Sequence, residues 1–507
     1  MEKMLTKTAI HMACCDTSKR EEAPISGEYV LPEYCPDMAV ILKCLAYPRL
    51  QNRQWSGDQL MVDGIAVVRV VYGDEQRRCV RTLEFAQPFS CAIHGLPQLD
   101  DASLDIALST KYLTCRALSP RRLEVRGSVL VEATLDTATT YELAEPNKVD
   151  GLYTRCETMP ITVPCRPCEK IISVNESLEF DHTLPPAERL LGGECNASIK
   201  ECKLFAGKAI VKGLLYVHQL YTDSAEGSRT YCLDYTIPFS QILDIPDAAE
   251  NLPYRANVQI LSDSERCSVG PDGENTILDI SAKLLLQIQV YQRLEVSLLY
   301  DAYHTCCPVE MKWEDVVCRT LHGQRFEDVK CPITVSAPVH QWKEILDVFV
   351  QISDYHWEVQ HGRCLLKGRM QIGCIVRDVD GEISYFECFE NFDLECDCVG
   401  THPQLKPMVS TVRYRATENT LECVVSLHVC ITDESVFQHR VISDLHLCVE
   451  SPYTASKAAA MLYYAQAGET VWNIAQACHT SPQGIMEENG LCGEDIVEKT
   501  ILLIPSI

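Results

Sequence analysis

Apolar and polar residues alternate with a period of two along most of this chain, and that pattern predicts strands with one face in a core. Three of these runs carry a glycine in their first half: Leu60–Tyr72 with Gly64, Ala209–Tyr221 with Gly213, and Leu365–Val376 with Gly368. Glycine weakens a strand and packs nothing, so its place there marks a bulge or a close approach of another group. Upstream of each lies a pair of adjacent apolar residues, Ile41-Leu42, Leu190-Leu191 and Ile345-Leu346, read as a helix-like turn. Pair and glycine are separated by 23 residues in all three cases. Downstream stand Gln87-Pro-Phe89, Ile237-Pro-Phe239 and Asn391-Phe392, with the phenylalanine 25, 26 and 24 residues beyond the glycine. A second alternating strand then closes each copy, starting at Leu123, Ile277 and Thr420. Turn chemistry separates the runs at Gly73-Asp74, Pro271-Asp-Gly273 and Asp378-Val-Asp-Gly381.

A period near 150 residues is a whole domain rather than a solenoid repeat. The expectation is a mainly β chain of three tandem, β-rich, sandwich-like domains with small helices, over residues 1–155, 156–305 and 306–448. The third copy is the divergent one, having Asn391-Phe392 for Pro-Phe and Ser336-Ala-Pro338 for Leu-Pro.

After Cys448 the pattern changes. Residues 449–461 are small, polar and proline-containing, which predicts a linker with a helical alanine end. A short strand from Leu462 to Ala465 then leads into a turn at Gly468. Thr470 is placed to cap a helix that buries Val471, Ile474 and Ala475, with Cys478 on the same face. Ser481 caps a second helix with Pro482 in its first turn, and Asn489-Gly490 ends it. Ile501-Leu-Leu-Ile-Pro505 is the returning strand, completing a βααβ module over 462–507.

Composition narrows the function classes. The 507 residues are 46% hydrophobic and 23% charged, ordinary for globular domains. A net charge of −26 argues against general nucleic-acid affinity, since a polyanion is repelled and counterion release needs clustered cations. The one basic run, Arg116–Arg126, reads as a solvated strand face. The first residues lack the apolar core of a secretion signal, and no apolar run reaches the ~20 residues of a membrane span, which predicts a cytoplasmic protein.

The 28 cysteines lie scattered in strand-like runs, where reduced thiols pack as small hydrophobes. Cys14-Cys15, Cys306-Cys307 and Cys396-Asp-Cys398 do not have zinc spacing, and Cys165-Arg-Pro-Cys168 lacks a second half. No metal and no cofactor are expected. No catalytic residue is expected either: His94, His304, His340 and His361 stand in unrelated contexts, and no phosphate loop, G-x-S-x-G or H-E-x-x-H motif occurs.

Two resemblances add to this reading. Leu31-Pro-Glu-Tyr-Cys-Pro-Asp37, the Val-Asp-Gly64 strand ending at Tyr72, and Pro88-Phe-Ser90 resemble the SPOCS domain of endospore-forming bacteria. The first copy fits well; the second fits less closely, keeping Leu184-Pro185. Gly468-Glu-Thr470, Trp472-x-Ile-Ala475, Asn489-x-Leu491, Ile496 and Leu503-Ile-Pro505 resemble the LysM domain, apart from Lys499-Thr500, where the family usually has glycine.

The LysM resemblance implies a glycan groove between Gly468, Glu469, Thr470 and Val471 on one side and Asn489, Gly490, Leu491 and Ile496 on the other. Backbone amides there would pair with acetamido groups. Thr470 and Asn489 also stand where caps belong, which is their structural alternative. Glu469, Glu487, Glu488, Glu494, Asp495 and Glu498 against Lys499 make the module acidic, suiting a basic protein patch as readily as a sugar.

Three SPOCS-like copies followed by LysM resemble the SipL-type spore coat morphogenetic proteins. That resemblance implies a non-enzymatic coat assembly scaffold at the forespore surface in the mother-cell cytoplasm, docking through LysM to the basement-layer morphogenetic ATPase of the coat. The alternative is a peptidoglycan-binding protein anchored by LysM.

Overall fold

A computed structural model describes every residue except 1–5, 14–16, 99–101, 137, 146–148, 225–228, 337–341, 418–419, 455–459 and 506–507. Cys14-Cys15, His340, part of the Ser336–Pro338 segment and most of the alanine end of the linker lie outside the described residues.

The chain is mainly β. Its first unit comprises β1 (Lys7–Ala13), β2 (Thr17–Val30), β3 (Val40–Ser56), β4 (Gln59–Gly73), β5 (Val80–His94), β6 (Ser103–Ser119), β7 (Arg122–Asp136) and β8 (Ala138–Ala144). The second comprises β9 (Leu152–Pro164), β10 (Cys168–Glu179), β11 (Arg189–Phe205), β12 (Lys208–Thr222), β13 (Thr230–Asp244), β14 (Tyr254–Val269) and β15 (Asn275–His304). The third comprises β16 (Val309–Ser336), β17 (Trp342–Gln360), β18 (Arg363–Asp378), β19 (Ile383–Asp397), β20 (Gln404–Ala416) and β21 (Thr420–Leu447). Then follow β22 (Ala460–Ala465), α1 (Val471–Cys478), α2 (Pro482–Asn489) and β23 (Thr500–Pro505).

Each unit is a sandwich of two antiparallel three-stranded sheets. One sheet has the order β3-β4-β5, β11-β12-β13 or β17-β18-β19; the facing sheet has β2-β7-β6, β10-β15-β14 or β16-β21-β20. The alternating residues of both sheets fill one core per unit, as with Val62, Val68, Val125 and Val131 in the first. The third unit, for all its divergence in sequence, has the same strand order as the other two.

The glycine and phenylalanine of each unit stand directly opposite one another: Gly64 pairs with Phe89, Gly213 with Phe239, Gly368 with Phe392. A methyl group on these glycines would lie 2.3, 2.2 and 2.5 Å from the ring Cζ. The ring lies over the bare backbone, so the glycine serves a close approach rather than a turn, and the constant offset reflects hairpins of nearly constant length. Gly213→Ala should therefore destabilise by about 1–3 kcal/mol through overpacking. Gly323→Ala, where a methyl meets nothing within 4 Å, is the neutral control. Urea denaturation of both variants checks this.

The small helices expected in the units are absent among the described residues; both helices belong to the C-terminal module. The adjacent apolar pairs lie instead at β-bulges, where the register slips between Ile41 and Lys43, Leu190 and Gly192, and Ile345 and Asp347. At a bulge one strand carries an extra residue, which interrupts the alternation and imitates a helical contact pair. The extra residues Leu42, Leu191 and Leu346 meet Val71, Leu220 and Ile375 in a single cluster. Equivalent positions of all three units thus converge on a common centre.

The second-unit equivalence also moves. Tyr72 and Tyr221 donate to the carbonyls of Pro36 and Pro185 respectively. Leu184-Pro185 therefore matches Cys35-Pro36, and the counterpart of Leu31 is Phe180, both buried. In the first unit Arg121 clasps this turn, donating to Pro32 O at 2.8 Å and pairing with Asp37. Within the Arg116–Arg126 run it is Arg121 that ties the turn, while Arg116 and Arg126 pair with Glu124 at the surface.

Beyond the sandwiches the same strands continue into a hub. β1 pairs with β8, β9 with the second half of β15, and the first half of β16 with the end of β21. These three ribbons bury Leu143, Met159, Ile161, Val296, Leu298, Val316, Cys318 and Val441 against one another. Each such side chain contributes roughly 1.5–3 kcal/mol when fully buried, so the units are joined by a core of their own.

A charged cluster marks the passage from sandwich to hub. Arg319 Nε donates to Glu434 at 2.8 Å, and Arg255 reaches the same carboxylate at 2.8 Å. Asp136 lies 3.5 Å from Arg319 and accepts from the Tyr291 hydroxyl. Asp136, Arg319 and Glu434 are at most 5% exposed. The cluster draws on all three units.

The described cysteines are free, and Cys318, Cys364, Cys374 and Cys423 are core residues. Burial raises the thiol of Cys318, Cys396 and Cys423 alike to about 11. No helix of the described residues is long and apolar enough to cross a membrane.

Candidate binding module

The C-terminal module folds as its local signals require. Thr470 accepts from Asn473 N at 3.2 Å and Ser481 from Gly484 N at 3.2 Å, which sets the starts of α1 and α2. His479 and Gly490 take the left-handed conformation at their ends. Val471, Ile474, Ala475 and Ile485 form the core with Leu502 and Ile504 of β23, and β22 pairs with β23. Ala460 opens β22, so the last linker residues before Leu462 are strand rather than helix.

The two loops predicted to face each other are stitched together. Gly468 N donates to Ile496 O (2.8 Å), Ile496 N to Glu469 O (2.9 Å), and Val471 N to Glu494 O (2.7 Å). The amides of Glu469 and Leu491 donate to Gln466 O and Met486 O. Gly490 N turns back on Glu487 and Met486 as a helix cap. These amides are thus already engaged within the module.

Several side chains of the candidate set are also engaged. Glu469 accepts from the Tyr463 hydroxyl at 3.0 Å and from Gln466 N at 2.7 Å, closing its own turn. Asn489 donates to Ile485 O and Leu503 O, and accepts from Leu503 N at 2.7 Å. Val471 and Ile496 are core residues, Leu491 packs at the core edge, and Thr470 caps α1. Gly468 and Gly490 lie open, with φ of +93° and +61°. Asn489→Ala should cost about 1–3 kcal/mol, because partly buried backbone groups of α2 and β23 lose their partner. Thermal unfolding of the module, followed by its helical circular dichroism, measures this.

What sequence reasoning missed is that the module is docked. Trp472 Nε1 donates to Asp301 at 2.7 Å, and Gln476 reaches the same carboxylate at 3.4 Å. Tyr303 sits edge-on to Trp472 at 5.0 Å and donates to Thr480 O at 2.8 Å. Arg155 lies over the indole at 4.8 Å and pairs with Glu494. Tyr153 stacks on Tyr303, and Tyr453 on His479. Arg155, Asp301 and Tyr303 all belong to the β9–β15 ribbon of the hub. Nothing local in Tyr300-Asp-Ala-Tyr303 separates these residues from ordinary strand alternation, and Trp472 lies 171 residues beyond Asp301.

Docking leaves an apolar patch outside. On the outer face of β22–β23, Leu462 opposes Leu503 and Tyr464 opposes Ile501. Leu462, Tyr464 and Ile501 are 62%, 68% and 56% exposed. Glu487, Glu488, Asp495 and Glu498 are exposed on the same module.

Comparison with protein-family models matches residues 186–267 to the SipL SPOCS domain and residues 463–505 to the LysM domain. The first match spans β11 to β13 and most of β14, so it falls on the second unit rather than on the first, where the resemblance reads more strongly. No curated protein and no solved structure matches the chain. The chain thus carries a SipL-type SPOCS domain in its second β unit and a LysM domain docked on the hub.

Proposed function

We propose that this protein is a non-enzymatic scaffold of the spore coat, built from three copies of one SPOCS-type domain and docking through its LysM module to a coat morphogenetic protein at the forespore surface. Both matched domains are binding rather than catalytic modules, and the SipL SPOCS match supports a sporulation context. By resemblance, the partner is the basement-layer ATPase of the coat, met on the mother-cell side.

The observation that carries this reading is the exposed Leu462–Tyr464–Ile501 face on a module whose exposed residues include Glu487, Glu488, Asp495 and Glu498. Exposed contiguous apolar patches mark protein contacts, whereas loop amides of Gly468, Glu469, Val471 and Leu491 are engaged by the module itself. A pull-down with the coat ATPase tests it: the full chain should retain the ATPase, and Leu462→Glu/Tyr464→Glu should lose it. The second reading, peptidoglycan binding, draws on the open backbone at Gly468 and Gly490. Co-sedimentation of the full chain with purified peptidoglycan, without retention of the coat ATPase, would favour that reading.

A further inference from the structure

Away from the module, within the matched SPOCS segment, one group of side chains has the donor chemistry of a metal site. His218 on β12 stands directly opposite Asp234 on β13, and Cys232 lies two residues earlier on the same face. One donor atom from each lies within 4.8 Å of the others. His218 Nδ1 is 2.7 Å from Asp234 Oδ1 and 3.3 Å from Cys232 Sγ. The other ring nitrogen, Nε2, is 2.9 Å from Asp347 Oδ1, which arrives from β17 of the third unit. Asp347 is 1% exposed, and its second oxygen has no hydrogen-bond partner.

We propose that His218, Cys232 and Asp234 form a binding site for a divalent, thiolate-seeking transition ion of the zinc class. A carboxylate holding the far nitrogen of a ligating histidine is the usual outer-shell arrangement, since it fixes the tautomer and aims the other lone pair at the ion. Here Asp347 occupies that position from a neighbouring unit. Thiolate, imidazole and carboxylate together suit Zn²⁺ better than Mg²⁺ or Ca²⁺. The Asp234 side chain is 66% exposed, which gives the ion a route in and a solvent-facing fourth position. Binding forms one bond each from sulfur, nitrogen and oxygen to the ion, and releases to solvent the thiol proton and the proton shared between Nδ1 and Asp234.

Among the described residues, no lysine or arginine pairs with Cys232, Asp234 or Asp347, so no fixed cationic side chain fills the place. The comparable group Cys195, Asp263 and Glu265 differs there, because Arg49 sits 2.9 Å from Asp263. Through Asp347 the ion would clasp β12 and β13 of the second unit to β17 of the third.

The test is a titration of the metal-free, reduced full chain with Co²⁺, then Zn²⁺. One equivalent of Co²⁺ should bring a thiolate-to-cobalt charge-transfer band that Zn²⁺ abolishes. Cys232→Ser should lose the band, and Cys165→Ser/Cys168→Ser should keep it. Asp347→Asn should keep it with affinity weakened about 10–100-fold. Absence of the band from the unmodified chain, its survival in Cys232→Ser, or its loss in Cys165→Ser/Cys168→Ser would overturn the assignment. The titration of the unmodified chain decides even where a variant folds poorly.

Discussion

Arg319→Ala is expected to cost about 3–5 kcal/mol, a large share of what holds a domain folded. Arg319 is 3% exposed and stands between two carboxylates, Glu434 and Asp136, which are themselves buried. Truncation strands negative charge in a low-dielectric junction, where Arg255 is left facing both carboxylates. The size of the loss lies in the uncompensated charge rather than in the bond itself. Arg319→Met combined with Glu434→Leu should therefore recover much of it, since replacing both partners of a buried pair by apolar groups is often near neutral. Guanidinium denaturation of the two single variants and the double variant measures this coupling directly. Additive losses would contradict the role given to the cluster.

Tyr303→Ala is expected to be the second large effect, about 3–5 kcal/mol for removal of a buried aromatic side chain. Tyr303 is 5% exposed, packs on Trp472 and holds the backbone at Thr480, yet it belongs to β15. The substitution leaves every residue of the LysM module in place and removes what the module rests on. Amide exchange should accelerate across α1 while β12 of the second unit keeps its protection. The LysM module should then unfold apart from the sandwiches. Unchanged exchange in α1 would show that the module does not depend on its dock.

Much of this architecture is written locally. The Gly–Phe offsets survive in the sequence because they are cross-strand pairs at the far end of hairpins whose loops hardly vary. Thr470, Ser481, Pro482 and Gly490 announce the two LysM helices because capping is a property of a few consecutive residues. The bulged pairs were misread for an equally local reason, since two successive apolar residues break a period of two whether the backbone coils or bulges. The hub left no mark: β15, β16 and β21 run from sandwich into ribbon without a turn, so one alternation serves two different cores.

The candidate site divides along the same line. The sequence pointed to the two loops, and the structure brings them together at Gly468 and Ile496. It did not reveal that their amides serve each other, because cross-loop hydrogen bonds carry no residue signature. Nor did it point to His218, Cys232 and Asp347, which lie on three strands with no common spacing.

The proposed function requires the exposed ribbon face of the LysM module to hold the chain at the forespore. Fluorescent fusions of the unmodified full chain and of Leu462→Glu/Tyr464→Glu in sporulating cells test it most directly. The unmodified chain should form a ring around the forespore and the variant a diffuse mother-cell signal, at equal protein levels. A ring that persists unchanged in the variant would contradict it.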